Sequence, residues 1–304
     1  MTDLTNQVGI NISNTSIQLV EISNKQSKVY LENVDEEFFE ESLDLNLKEP
    51  KFIHILQNAY NEIILRKPLL TSKVLISLPL NFFKIYEIPV DKNLSKNDLI
   101  EYLSWEFSKL FPTENIKDYS FQKIILETPT YQPFMRYMIF VIKKDLLKRI
   151  FKFCVRNNLI LKSIDISHIS ANSILAYNNS PLNCFSLWID EKNISAIYIV
   201  NSNIVFSKSK NYLNISEVTF TLKDFFSEIE NRNLMKNKIS EIFFIGSTIS
   251  NELINSINIT CSCNLKIINP FDELKLDISH LKNLVNINST KFNAALGMAL
   301  RLIS

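Results

Sequence analysis

The chain has 304 residues, 46% of them hydrophobic, with 33 Lys and Arg against 32 Asp and Glu. This length is enough for one large domain or two smaller ones, each with its own core. The net charge of +1 gives no strong electrostatic reason to expect nucleic acid or an anionic membrane surface as a partner.

The first part of the chain is predicted to contain three strands and a helix. The short strands lie at 8–12, 17–22 and 28–31 and are separated by polar turns. An amphipathic helix follows Pro50, because apolar residues recur at helical spacing from 52 to 64.

Residues 73–165 are predicted to form a compact strand–strand–helix–strand–strand–helix module. Ser95, with Asp98 three residues later, has the pattern of a capping box, and Pro112 ends the helix that begins there. The strands are expected at 73–78, 82–88, 119–127 and 136–142, and the helices at 95–111 and 144–158.

The second half opens with the same three-strand pattern as the first and closes on a helix of small apolar residues, FNAALGMALRLI. The strands are expected at 184–190, 194–200, 203–207, 241–246 and 265–269, and the helices at 216–235, from about Ser247, and at 292–303. This repeat predicts an internally duplicated α/β architecture. Because no Pro-, Ser- or Gly-rich linker separates the halves, we expect them to share a packed interface.

Glycine is scarce in this chain. Gly9, Gly246 and Gly297 are its three glycines, whereas average usage predicts about twenty. Neither G-x-G-x-x-G nor G-x-x-x-x-G-K-[ST] is present. Rossmann dehydrogenases, P-loop NTPases and protein kinases are therefore excluded.

Four stretches resemble known proteins in their pattern and order. VGINISNTSIQLVEIS, at 8–23, resembles the first phosphate hairpin of the actin-like ATPase superfamily. Residues 78–126 resemble the inserted subdomain of the PilM-like type IV pilus assembly proteins. Residues 158–176 resemble that family's return into its first domain, and 294–302 its last helix. The features of 78–126 that carry the resemblance are two prolines, a helical Trp-Glu pair, a closing proline and a strand start: Pro79, Pro89, Trp105, Glu106, Pro112, Asp118 and Tyr119.

The resemblance implies an α/β, actin-like (ribonuclease H-like) duplicated two-domain fold with an inserted subdomain in domain I. Domain I is expected to comprise 1–72, with 166–180 and 290–304 returning to it. The inserted subdomain is expected at 73–165, and domain II at 181–289.

The resemblance also places a nucleotide site at two hairpins and one adenosine loop. In the family the first hairpin reads Asp-x-Gly-x-x-x-x-Lys. The acid orients the waters of Mg²⁺, the glycine lets backbone N–H groups approach the phosphates, and the lysine offsets their charge. Here Asn11, Ser13 and Gln18 stand at these positions, with Asn14 and Thr15 in the turn. We expect this hairpin to have lost its phosphate chemistry, and a simple packed β-hairpin is the alternative interpretation.

In the second hairpin Asp190 keeps the family's acid, but Lys192 stands where the family has glycine. Asp190 could equally cap a turn with Asn193.

The adenosine loop usually shows a Gly-Gly pair after a strand, and here Gly246 is followed by Ser247 and Thr248.

A hydrogen bond to a charged group is worth about 1.5–3 kcal/mol. Losing two such contacts weakens affinity by roughly 100-fold to 10⁴-fold. We therefore expect no cofactor, although ATP with Mg²⁺ is the one that the family would bind.

The other reactive side chains form no recognisable site. His54, His168 and His280 have no partner at a known motif spacing and are expected to be surface or satisfied core residues. Cys261 and Cys263 are interpreted as small apolar residues rather than metal ligands, because no further ligand pair is present.

The function implied by the resemblance is that of a cytoplasmic protein held beneath the inner membrane by its partner. That partner is the N-terminal cytoplasmic tail of a single-pass pilus or secretion protein, and the GspL-like type II secretion proteins are similar. With its altered hairpins, the chain is expected to be a non-catalytic adaptor rather than an enzyme. We expect no nucleic acid, no direct membrane insertion, and self-association as an open alternative.

Two other functions belong to the same superfamily. A functional ATPase that hydrolyses ATP in the interdomain cleft is the alternative to the adaptor. An FtsA-like division protein is disfavoured, since no amphipathic helix follows Ser304.

Overall fold

The structure is a computed structural model. It describes residues 5–26, 28–126, 134–178, 183–190, 193–201, 203–234, 239, 241–247, 250–261, 264–276 and 288–301.

Thirteen strands and seven α-helices are assigned in these ranges, and most begin within a few residues of the predicted positions. The strands are β1 Thr5–Ile12, β2 Ser16–Lys25, β3 Lys28–Phe38, β4 Lys73–Leu78, β5 Phe83–Asp91, β6 Tyr119–Leu126, β7 Phe134–Lys143, β8 Ile160–Ile166, β9 Cys184–Ile189, β10 Asn193–Val200, β11 Asn203–Asn211, β12 Glu241–Phe244 and β13 Asn264–Ile267. The helices are α1 Glu49–Arg66, α2 Lys96–Leu110, α3 Lys144–Arg156, α4 Ser167–Tyr177, α5 Ile215–Asn231, α6 Asn251–Cys261 and α7 Asn293–Leu300.

Two five-stranded sheets with the same topology form the body. The first has the order β3-β2-β1-β4-β8 and the second the order β11-β10-β9-β12-β13. In each, an antiparallel three-strand meander is extended by two parallel strands. The predicted internal duplication is therefore confirmed at the level of strand order.

Apolar side chains join the two sheets into one stack of layers. Helices α1 and α3 cover the outer face of the first sheet, and α5 and α6 cover that of the second. Helices α4 and α7 lie between the sheets, in a core that includes Val20 from one side and Trp188 and Phe243 from the other. The expected packed interface between the halves is present.

A third, smaller sheet with the order β5-β7-β6 carries helix α2 on one face. The predicted cap of this helix is present, since Ser95 Oγ accepts a hydrogen bond from the Asp98 backbone N–H at 3.3 Å. Strands β4 and β8 do not belong to this sheet, because they pair with each other inside the first one. The predicted boundaries of the module at 73–165 therefore shift inward, and any separate module is confined to about 83–143. The division into domains otherwise stays a prediction.

Helix α7 lies very close to β1 and α4. A Cβ on Gly9 would lie 1.9 Å from the carbonyl oxygen of Ala295, and a Cβ on Gly297 would lie 2.0 Å from that of Ser170. Neither position leaves room for a side chain. All eight residues of α7 are buried, so the C-terminal part of the chain is part of the central core.

An ionic network connects the third sheet to the second half. Glu87 of β5 pairs with Arg136 of β7 and with Arg232, the residue after α5, whose Nη1 lies 2.8 Å from Glu87 Oε2. Arg232 also pairs with Glu228, which in turn pairs with Lys208 of β11. The five charges alternate in sign, so each interior member has two opposite neighbours.

The carboxyl of Glu21 on β2 is completely buried. Its Oε1 accepts a hydrogen bond from the Leu70 backbone N–H at 2.9 Å, while Oε2 has no hydrogen-bond partner. Burial raises the pKa of Glu21 to about 7, against the opposing effects of backbone hydrogen bonding from Leu70 and Thr71; the charges of Glu32, which raises the pKa, and of Lys67, which lowers it, contribute less.

Candidate functional site

A cleft of about 660 Å³ opens between the two halves. The β1–β2 turn forms one wall, and the β9–β10 turn and Ser247 form the other. All the predicted site residues that line it are polar: Asn11, Ser13, Asn14, Thr15, Gln18, Asp190, Asn193 and Ser247. The residues that the resemblance indicated come from distant parts of the sequence, and in the structure these eight line one cavity.

The turn of the first hairpin is capped by its own side chain. Ser13 Oγ accepts hydrogen bonds from the backbone N–H groups of Thr15 and Ser16, at 3.2 and 2.9 Å. In the resembled family a glycine stands at position 13, and the turn's N–H groups are directed toward phosphate. Here the serine hydroxyl occupies those donors, so a phosphate would have to displace it.

The tip of this hairpin is also held from outside. Asn14 Nδ2 donates to the Leu43 carbonyl at 3.1 Å, and the Leu43 backbone N–H donates back to the Asn14 carbonyl at 2.7 Å. The Phe39 N–H donates to the Thr15 carbonyl at 2.8 Å. The segment between β3 and α1 therefore holds the turn in place.

Asn11 is the centre of a neutral, fully buried hydrogen-bond network. Its Oδ1 accepts from Ser77 Oγ at 2.8 Å and from Ser167 Oγ at 2.7 Å, and its Nδ2 donates to Gln18 Oε1 at 2.7 Å. Both ends of the amide are thus satisfied. A carboxylate here would accept the two serine hydroxyls equally well, but it would lose the donor that orients Gln18.

Gln18 holds the carboxylate of Glu36 at the wall of the cleft. Gln18 Nε2 donates to Glu36 Oε1 at 2.9 Å, and Lys291 Nζ lies 3.2 Å from the other carboxylate oxygen. Lys291 also lies over the ring of Phe38. The position at which the family has a phosphate-binding lysine therefore supports a negative charge.

In the second hairpin Asp190 caps its own turn. Asp190 Oδ1 accepts from the backbone N–H of Asn193 at 2.8 Å and from its side-chain Nδ2 at 3.2 Å. Trp188 Nε1 donates to the other carboxylate oxygen at 3.4 Å. The turn-capping interpretation of Asp190 agrees with these contacts. Lys192 lies outside the described residues.

Gly246 is used for close packing at the adenosine-loop position. A Cβ there would lie 2.4 Å from the Ile189 backbone nitrogen, and the Ser247 N–H donates to the Ile189 carbonyl at 3.1 Å. Glycine thus lets the loop after β12 approach the end of β9. Thr248 lies outside the described residues.

The charges in the cleft do not favour a polyanion. Three carboxylates (Glu36, Asp44 and Asp190) and two lysines (Lys143 and Lys291) line it. The lining therefore carries a formal charge of −1, whereas a bound triphosphate would need an excess of cations. Within the described ranges, no group of three or more His, Cys, Asp or Glu side chains is arranged to hold a metal ion.

Sequence reasoning missed the residues that complete the network: Ser77, Ser167, Glu36 and Lys291. Each meets the hairpin through long-range packing, and Lys291 is contributed by the segment just before α7. A local motif carries no signal for such contacts.

The predicted histidine and cysteine roles have separate outcomes. His168 is a satisfied core residue, since its Nδ1 and Nε2 lie 2.8 and 3.1 Å from the hydroxyls of Ser195 and Ser186. Burial lowers the pKa of His168 to about 3, so the imidazole is neutral. His54 is exposed. His280, Cys263 and the side chain of Cys261 lie outside the described part of the chain.

No protein-family model matches the chain, and no curated protein matches its sequence. Solved structures match its fold. A chain of a PilM–PilN type IV pilus biogenesis complex aligns with a TM-score of 0.73 and 16% identity, over 98% of both chains. A Bacteroides thetaiotaomicron protein with an actin-like ATPase fold aligns with a TM-score of 0.52 and 13% identity, over 93% of this chain and 96% of that one.

A third structure is the cytoplasmic domain of EpsL, an inner-membrane component of the Vibrio cholerae type II secretion system. It aligns with a TM-score of 0.51 and 6% identity, over 94% of this chain and 98% of that one. The chain therefore has the actin-like ATPase fold, and the predicted α/β, actin-like fold class is confirmed, while the inserted subdomain stays a prediction. None of the helices in the described ranges is both long and apolar enough to cross a membrane.

Proposed function

We propose that this protein is a non-catalytic cytoplasmic adaptor of a type IV pilus-like or type II secretion-like inner-membrane platform. It binds the N-terminal cytoplasmic tail of a single-pass membrane partner and stays at the membrane through that contact. The observation that carries the proposal is the alignment over 98% of both chains with a protein from a PilM–PilN complex. The EpsL domain, from an inner-membrane secretion component, supports the same setting.

The proposal that nucleotide is not used rests on the two self-capped turns. Ser13 occupies two N–H donors of the first turn, and Asp190 is engaged by Asn193 in the second. Glu36 adds a negative charge beside Gln18. Each lost contact to a charged phosphate removes about 1.5–3 kcal/mol of binding energy.

Mg-ATP is expected to bind weakly or not at all, and hydrolysis is expected to be absent. The reason is that binding must first break the Ser13 and Asp190 caps and then overcome the Glu36 carboxylate. Titration calorimetry with Mg-ATP measures the affinity, and phosphate release measures the hydrolysis. A micromolar dissociation constant for the parent would restore the ATPase alternative.

A matched variant makes this test sharper. The triple substitution Asn11→Asp, Ser13→Gly and Gln18→Lys restores the family pattern in the first hairpin and frees the Thr15 and Ser16 N–H groups. We expect it to bind Mg-ATP more tightly than the parent. Asn211→Ala, an exposed change at the lining of the same cleft, should leave the affinity unchanged.

The tail of the partner should bind whether or not ATP is present. Because the cleft is expected not to bind nucleotide, ATP should not change the affinity for the tail. The test is retention of the full-length protein on an immobilised peptide. That peptide corresponds to the cytoplasmic tail of a membrane protein encoded beside this gene, and a scrambled peptide serves as control. Retention by neither peptide, or retention only with Mg-ATP, would contradict the adaptor proposal.

We place the peptide in a groove beside the third sheet, where an extended segment can add main-chain hydrogen bonds to a strand edge. In the order β5-β7-β6 the outer strands are β5 and β6, and β6 lies close to β11. Strand β5 is therefore the edge that we favour.

A further inference from the structure

Helix α3 buries one face and carries two large apolar residues on its otherwise charged exposed face. Ile150 and Phe153 are fully buried against the first sheet and α1. One helical turn apart on the other side, Phe151 and Val155 are 58% and 56% exposed. Residues four apart on a helix lie side by side, so the two form one apolar spot on the surface.

The same helix concentrates positive charge. Residues 143–156 contain six lysines and arginines and one acid, Asp145, in a chain whose net charge is +1. Asp145 pairs with Arg149, and Glu49 of α1 pairs with Lys152. Both of these carboxylates are thus already in ion pairs.

Two exposed cations flank the apolar spot. Lys148 precedes Phe151 by three residues, and Arg156 follows Val155 directly. Neither cation has an ion-pair partner among the described residues. Lys144 lies on the same line of the helix and donates through Nζ to the Lys117 carbonyl at 2.8 Å.

We propose that this face of α3 rests on the anionic surface of a lipid bilayer. Exposed lysine and arginine contact the phosphates, while Phe151 and Val155 enter the boundary between head groups and acyl chains. Amphipathic helices with basic and aromatic residues bind membranes in this way without crossing them. Charge complementarity selects the occupant, and a convex helix face suits a deformable bilayer better than an extended acidic peptide, which needs a groove.

This surface is separate from the proposed tail site and contributes weakly by itself. One cation near an anionic surface strengthens binding by about fivefold. The net charge of +1 gave no indication of an anionic membrane as a partner, because a net charge does not show how charges are distributed over the surface.

The test uses the full-length protein without any partner. Cosedimentation is measured with vesicles of equal phosphatidylglycerol and phosphatidylcholine, and with vesicles of phosphatidylcholine alone. Binding is expected only to the anionic vesicles and should fall as salt rises. The double substitution K148Q/R156Q should weaken binding by about 25-fold, at fivefold for each charge. F151Q/V155Q should also weaken binding, at unchanged charge.

A matched control separates this face from a general charge effect. K92Q/K96Q removes two exposed lysines, one just before α2 and one at its first residue, with the same change in net charge, and should bind like the parent. An equal loss in this control would overturn the proposal. Absence of vesicle binding, or binding to polyglutamate in its place, would also overturn it. Because no tail peptide is present, the result is independent of the adaptor test.

Discussion

Replacing Gly297 by alanine is expected to destabilise the protein by about 3 kcal/mol. In an exposed helix the same change would stabilise, because alanine is the better helix former by about 1 kcal/mol. Here the new Cβ would lie 2.0 Å from the Ser170 carbonyl oxygen, so α7 and α4 must move apart within a close-packed core. The free energy of unfolding in urea measures the effect. Gly9 of β1 contacts the opposite side of α7, and Gly9→Ala should lower the free energy of unfolding by a similar amount.

Asn61→Ala is the matched control for this prediction. Asn61 is an exposed residue within α1, where alanine should gain a few tenths of a kcal/mol through helix propensity alone. If Gly297→Ala behaved like Asn61→Ala, the close contact between the helices would not exist.

Glu21→Gln is expected to stabilise the protein above neutral pH. The folded-state pKa of Glu21 is about 7, above its value in an unfolded chain, so the folded protein binds the extra proton between about pH 4.5 and 7. Stability conferred by the neutral form is therefore complete at low pH and is lost as pH rises through 7. The loss amounts to about 3 kcal/mol at most.

Glutamine keeps the acceptor for the Leu70 N–H but cannot ionise. The variant and the parent should therefore unfold at similar urea concentrations at pH 5, and the variant should be the more stable at pH 8. Glu62→Gln, an exposed change on α1, should leave the pH dependence of the parent unaltered. A parent whose stability is flat between pH 5 and 8 would contradict the prediction.

Local pattern was sufficient for most of the elements. The apolar runs of β9 and β10, the helical spacing in α1 and the Ser95 cap are properties of short segments, and short segments are visible in a sequence. The duplication was also visible, because two similar meanders open the two halves.

Pairing across the chain was not visible in the same way. The sequence pattern does not indicate β8 as a strand, and it groups β4 with the module at 73–165 without indicating its pairing, because its partners β1 and β8 are far from it in sequence. At the site, the family pattern indicated Asn11, Ser13 and Gln18. The pattern did not show that Ser13 caps the turn, because a serine in place of glycine does not by itself reveal what its hydroxyl contacts. Nor did it show that Gln18 donates a hydrogen bond to Glu36.

The contact between Gly9 and Ala295 has a consequence for folding during synthesis. β1 is made nearly 300 residues before α7, yet each covers apolar surface of the other. During synthesis, part of the first sheet's inner face therefore stays uncovered until α7 has emerged from the ribosome. Contacts of such large sequence separation slow folding, and an uncovered sheet face is prone to aggregation. A chaperone that shields the nascent first half would have its greatest effect in this interval.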